Sequence, residues 1–175
     1  MRLQTLDKRW PQPVELAPVE KPAEESGGCR RVRVTFDTGA GDSVAPSAAF
    51  PLAEVRPTAF SRAGGHYVVA NGKTVDNEGE MVVKGKDVKY QPRGIVFQAA
   101  KVTKPLFAGA QAAPAGFRTI LDQDEEGNNI SHMIHKTTGE VTPLDIDNGV
   151  YCFDLWVEDG SANKPSSGFA RPGNP

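Results

Sequence analysis

The chain has little of what would place it in several common classes. Its two cysteines, Cys29 and Cys152, lie far apart in 175 residues. They make no disulfide framework, so free thiols in a reducing compartment are expected. No apolar run approaches the ~20 residues needed to span a bilayer as a helix. No basic segment followed by an apolar one opens the chain, so neither a secretory signal nor a membrane partner is expected. The formal net charge is only −2, too weak to draw in nucleic acid or an anionic surface. No nucleic-acid partner is therefore expected. A phosphate-binding glycine loop and a nucleophile elbow are both missing, and no cofactor is expected. Long helical patterns are scarce too. In their place stand 18 glycines and 14 prolines, the punctuation of a turn-rich, all-β protein. The length suits one domain with tails and is enough to bury a core.

The most informative stretch is Arg33-Val34-Thr35-Phe36-Asp37-Thr38-Gly39-Ala40-Gly41-Asp42-Ser43-Val44. Alternating Val, Thr and Phe over 32–36 suit a pleated, half-buried strand. The strand ends in a carboxylate, Asp37. Gly39 then permits a tight turn, having no Cβ to clash. The expected result is an acid presented at the end of a rigid strand with backbone N–H groups nearby, a setting in which a carboxyl can be tuned. The plain alternative is a strand-end turn in which Asp37 only accepts hydrogen bonds from its own backbone.

With its flanks, this segment resembles the active-site strand and loop of retropepsin-like aspartic proteases, two apolar residues followed by Asp-Thr-Gly-Ala. The likeness continues. His66-Tyr67-Val68-Val69-Ala70-Asn71-Gly72-Lys73-Thr74-Val75, through Gly79-Glu80-Met81-Val82-Val83, is similar to the hairpin that follows in retrotransposon proteases. Val102-Thr103-Lys104-Pro105-Leu106-Phe107 is similar to their later apolar stretch. Asn148-Gly149-Val150-Tyr151 with Phe153-Asp154-Leu155-Trp156 is similar to the segment after the protease core in copia-type polyproteins. The resemblance spans residues 30–157. It implies a retropepsin-like acid-protease β-barrel with a flap hairpin and an appended C-terminal β-meander. The chain then divides into an extended leader (1–28), a protease domain (29–116), appended strands (117–158) and a flexible tail (159–175).

Local patterns fill in the elements. Prolines 11, 13, 18 and 22 and the acidic run at 24–26 favour an extended leader, with an edge strand at 14–19 as the alternative. Residues 43–46 read as a short strand closed by Pro46. Pro51 and Pro57 limit any helix in 47–60 to a turn or two, and Phe50 and Leu52 are expected to plug the core. Asn71-Gly72 between strand-like runs signals a hairpin, since both residues tolerate positive φ. Residues 80–83 and 88–90 read as a second hairpin turning at 84–86, and 94–102 as a further strand. A short helix is expected at 110–115. Strands follow at 117–121, 130–135, 141–144 and 150–157, with turns at 127–129, 138–139 and 147–149.

Other chemistry is poorly supplied. His132 and His135 lack further ligands at a spacing that suits zinc, so a pair of histidines on a strand and its turn is the better reading. The acidic run 122–126 lacks the ligand spacing of a calcium loop and reads as a solvated turn. No metal is expected.

Aspartic-protease chemistry needs two carboxylates sharing one proton. The chain holds one Asp-Thr-Gly and no second Asp-Thr-Gly or Asp-Ser-Gly. A protease built from it must be a homodimer in which Asp37 meets its own copy across a two-fold axis. The resemblance assigns Asp37, Thr38 and Gly39 to catalysis, with Thr38 bracing the paired loops. It assigns Ala40, Asp42, Val69, Ala70, Asn71, Gly72, Leu106 and Phe107 to binding an extended peptide. It further implies processing of a retrotransposon polyprotein, in the cytoplasm or within virus-like particles. Two positions depart from the family pattern. Gly41 stands where many relatives carry an acid, and Ala108 separates the apolar pair from Gly109. The alternative expectation is a catalytically inactive retropepsin-like dimerisation or peptide-binding module. A third is an unrelated β-barrel whose Asp37 points away from any groove.

Overall fold

The computed structural model describes residues 28–69 and 72–160. Among them, eight strands form one sheet in the order β10-β11-β1-β6-β2-β5-β4-β3. These are β1 Cys29–Asp37, β2 Val44–Ala45, β3 His66–Val68, β4 Thr74–Lys86, β5 Pro92–Ala100, β6 Leu106–Ala108, β10 Asp145–Asp147 and β11 Val150–Glu158. β7 Phe117–Ile120, β8 His132–His135 and β9 Val141–Pro143 make a separate antiparallel sheet. One short helix, α1 Ala59–Arg62, and two single 3₁₀ turns, Ser47–Ala49 and Gly109–Gln111, complete the elements. The expected all-β class is observed. No helix among the described residues is long and apolar enough to cross a membrane.

Strand alternation explains the core. Val32, Val34 and Phe36 face inward from β1, and Phe153, Leu155 and Val157 from β11. The two strands are antiparallel, with Val34 opposite Phe153 and Val32 opposite Leu155, so apolar meets apolar on one face. On the other face Arg33 sits opposite Asp154, and its Nε donates to Asp154 Oδ1 at 2.9 Å. Met81 and Val83 of β4 and Phe97 and Ala99 of β5 join the cluster, as do Phe50, Met133 of β8 and Leu144. Each large side chain fully buried there contributes about 1.5–3 kcal/mol.

Several expectations are corrected. Phe50 does fill the core, stacking on Phe97 with ring centroids 5.3 Å apart, but Leu52 is 58% exposed. The second hairpin does not turn at 84–86. β4 runs unbroken to Lys86 because Gly85 lies under β11, where a Cβ would meet Trp156 O at 2.7 Å. The reversal comes at 87–91, so 88–90 is turn rather than strand. The buried Asp87 carboxylate organises it by accepting the N–H groups of Lys89 and Gln91. The expected helix at 110–115 is only the 3₁₀ turn Gly109–Gln111.

The appended meander is also redrawn. β7, β8 and β9 do stand apart as a sheet, but β11 pairs with β1 from end to end. A bridge between Trp156 and Lys86 brings β11 back against β4. Residues 117–158 are therefore not one attachment; their last strand belongs to the main sheet. β10, with no expectation attached to it, forms because the 147–149 turn folds it onto β11. The leader (1–27 of it) and most of the tail lie outside the described residues. Where they join the fold, Asp159 N–H donates to Gly28 O at 2.8 Å.

Candidate active site

β1 delivers Asp37 to the end of the sheet, beside β6. The two strands are parallel, with Phe36 opposite Phe107 and Asp37 opposite Ala108. The chain then turns away. Gly39 N–H donates to Asp37 Oδ1 at 2.8 Å, the bond that a simple strand-end turn also makes. Asp37 is half-buried, while Thr38, Gly39, Gly41 and Asp42 are exposed and Ala40 is half-buried. The carboxylate thus reaches the surface among small residues.

Gly39 departs from expectation. It is not among the glycines with positive φ. A Cβ there would meet Asp37 Oδ1 at 3.4 Å, an ordinary contact. Within one chain the turn does not require glycine at this position. Gly109 does serve close packing. A Cβ on it would lie 3.0 Å from the Phe36 ring and 3.2 Å from Asp37 O.

The loop returns through Ser43, which is 1% exposed. Its hydroxyl accepts the Ala108 N–H at 3.0 Å and donates to Gln111 Oε1 at 2.6 Å. Gln111 Nε2 reaches Asp42 Oδ1 at 3.4 Å. One serine therefore fastens both ends of the site, the loop after β1 and the strand beside it. The predicted residues Leu106 and Phe107 occupy that strand. Leu106 pairs with Thr35 and Val44. Phe107 packs edge-on to Phe153 with centroids 5.9 Å apart and lies 6.0 Å from Phe36. Both are half-buried, and Phe107 is tied to the core.

The hairpin of β3 and β4 stands next to the loop. Tyr67 pairs with Val75 and Val68 with Thr74. Val69 N–H donates to Lys73 O at 2.9 Å and Gly72 N–H to Val69 O at 2.8 Å. Gly72 takes φ +79°, as the turn signal predicts. Val69 and Gly72 therefore flank the turn, while the predicted Ala70 and Asn71 lie outside the described residues. Beneath the hairpin, Asn77 Nδ2 donates to Tyr67 Oη at 3.0 Å and to Gln98 Oε1 at 2.9 Å. Burial pushes the Tyr67 phenol above its ordinary range. The Asn77 bond pulls the other way, while the negative charge of Asp42 pushes it further up.

Sequence reading assigned no role to Ser43, Tyr67, Asn77, Gln98 or Gln111. One signal was available: Asn77 is the polar member of an inward-facing series that continues through Gly79, Met81 and Val83.

The remaining candidates are structural. His132 Nδ1 lies 2.8 Å from Ile130 O, and His135 packs edge-on to Phe117. Both belong to β8. Asp124 accepts the N–H groups of Glu126 and Asn128 and the Asn128 side-chain amide, which hold its carboxyl below the usual range. It caps a turn. Among the described residues no three His, Cys, Asp or Glu side chains are grouped to hold a metal. A groove of about 710 Å³ opens between Cys29, Leu52, Val82 and Trp156. It lies at the opposite end of β1 from Asp37 and contains none of the predicted site residues.

No protein-family model matches the chain, and no curated protein or solved structure does.

Proposed function

We propose that the protein is an aspartic-type endopeptidase of the retropepsin kind, active as a homodimer. The observation that carries this reading is the half-buried Asp37 carboxylate at the end of β1, beside the Gly39 N–H and flanked by exposed Thr38 and Gly39. A carboxylate sealed inside one subunit would have no access to a mate. Two copies of the loop, related by a two-fold axis, bring Asp37 against its twin. Like charges a few ångströms apart do not both ionise, so the pair shares one proton. The ionised member draws a proton from water, which attacks the amide carbon. The protonated member donates to the carbonyl oxygen, and the C–N bond then breaks as the first carboxyl passes its proton to the leaving nitrogen and the second takes one back from the gem-diol. No covalent enzyme intermediate forms. The substrate is an extended peptide lying between the paired loops and the β3–β4 hairpin, the class of chain being a retrotransposon-type polyprotein.

Peptide cleavage at mildly acidic pH by the full chain and by Asp37→Asn tests the reading. Cleavage by the first alone is expected. Equal cleavage by both removes Asp37 from the mechanism. A second reading, a non-catalytic dimer or peptide-binding module, is favoured by Gly41, which leaves the loop one acid short of the family pattern. It predicts peptide binding without cleavage.

A further inference from the structure

Asn77 is 5% exposed and occupies a place where its row of β4 otherwise turns apolar residues or glycine inward. An amide in such a row is kept only if its hydrogen bonds are supplied. Its Nδ2 is spent twice, on Tyr67 Oη at 3.0 Å and on Gln98 Oε1 at 2.9 Å. Its Oδ1 is buried with no partner. The amide is thus arranged as a donor between two elements rather than as a self-contained core group.

One bond leads to the hairpin strand β3 and the other toward the Asp37 loop. Gln98 N–H donates to Ser43 O at 2.8 Å, immediately after Asp42. Tyr67 Oη, having accepted from Asn77, retains its own proton to donate. Asp42, the residue before Ser43, is contacted by Gln111 Nε2 at 3.4 Å. The polar chain therefore runs from β3 through Tyr67 to Asn77 on β4 and Gln98 on β5, and returns to the loop at Ser43. The ring of Tyr67 is placed independently by Phe60, at a centroid distance of 6.0 Å. Only the hydroxyl belongs to the chain of bonds.

We infer that Tyr67 is a positioning residue whose hydroxyl ties the first strand of the hairpin to the Asp42–Ser43 side of the Asp37 loop. It acts through Asn77 and Gln98 and sets the geometry in which that loop meets a bound peptide. The functional half of this inference rests on the protease reading; the structural half does not. Tyr67→Phe keeps the ring against Phe60 and removes the tie.

Hydrogen exchange on the full chain tests the structural half. In Tyr67→Phe the amides of 41–45 are expected to exchange roughly tenfold faster, the scale of one lost hydrogen bond. Those of β7, β8 and β9 stay unchanged. Unchanged exchange at 41–45, or equal acceleration everywhere, overturns the tie. Binding of a statine-containing peptide, whose hydroxyl mimics the hydrated amide, tests the functional half in the Asp37→Asn background. Adding Tyr67→Phe is expected to weaken binding about tenfold, and in the active chain KM rises more than kcat falls. Unchanged peptide affinity in the double variant overturns the positioning role. Absence of cleavage and of peptide binding by every version sinks the protease reading and the positioning role with it, while exchange at 41–45 still decides the tie.

Discussion

Ser43 Oγ donates a 2.6 Å hydrogen bond to Gln111 Oε1 across the base of the Asp37 loop. The same oxygen accepts the Ala108 N–H at 3.0 Å. Replacing the serine by alanine leaves that N–H buried and unpaired. Ser43→Ala is expected to cost about 1–3 kcal/mol. A urea titration reads it as a lower midpoint at unchanged slope. An unshifted midpoint would show that Ala108 finds another acceptor.

Asp37→Asn should separate chemistry from folding. Asparagine keeps an oxygen for the Gly39 N–H, now at 2.8 Å from Asp37 Oδ1, but cannot ionise. Unfolding free energy is expected to change by less than about 0.5 kcal/mol, while cleavage is lost. A large loss of stability would mean that the charge itself holds the loop.

Two glycines should differ in their tolerance of a methyl group. At Gly109 a Cβ would lie 3.0 Å from the Phe36 ring, which has some room to shift. Gly109→Ala is expected to cost about 1–3 kcal/mol. Gly79 has φ +140° and a Cβ there would lie 2.5 Å from the backbone oxygen of Arg56. Gly79→Ala is expected to cost roughly 3 kcal/mol or more. Thermal melts that reverse this order would contradict the packing.

The half-buried Arg93 and the buried Asp87, 13% and 1% exposed, form an ion pair at 2.6 Å. Asp87 Oδ2 also accepts from Thr142 of β9, and Arg93 Nη1 reaches Glu140. The pair joins the turn between β4 and β5 to the separate β7–β9 sheet. Arg93→Met strands the Asp87 carboxylate. Because two backbone N–H groups still hold it, the expected loss is about 3 kcal/mol, the low end for a broken buried pair. Faster proteolysis of the β7–β9 sheet is the accompanying observation.

The two thiols should be distinguishable. Cys29 is exposed and Cys152 buried. Burial pushes the Cys152 thiol above its ordinary value of 9.0; the Arg33 guanidinium opposes this, while Asp145, Asp147 and Asp154 reinforce it. Native protein at pH 8 is expected to take one iodoacetamide label, at Cys29, and two when denatured. The linkage has a definite sign. A raised thiol pKa means the folded state holds its proton longer, so this contribution is complete below about pH 9 and is lost as pH rises through the folded value. Prompt labelling of both thiols would show that β10 opens readily.

Local chemistry made much of the scaffold legible. Alternation from Val32 to Phe36 gave a strand with an inward face. Gly72 marked a turn that does use positive φ. Asp37 fell at the end of its strand, as its apolar flank required. The errors share a cause. Lys84-Gly85-Lys86 looks like a turn until Trp156, distant in sequence, lies over Gly85. Leu52 looks like a core residue until Phe50 takes the place against Phe97. Trp156 and Phe97 both lie far outside a short window around those residues.

The order of residues alone determined where strands alternate, where the chain reverses at glycine, and that the Asp37 carboxylate closes the apolar run of β1. These follow from sterics and solvation within a few residues. Tertiary structure alone decided that β11 lies against β1, that Ser43 locks the loop to β6, and that Tyr67, Asn77 and Gln98 meet beneath the hairpin. Those contacts join groups far apart in sequence, and a hydrogen bond has meaning only once packing has removed water and fixed which donor faces which acceptor.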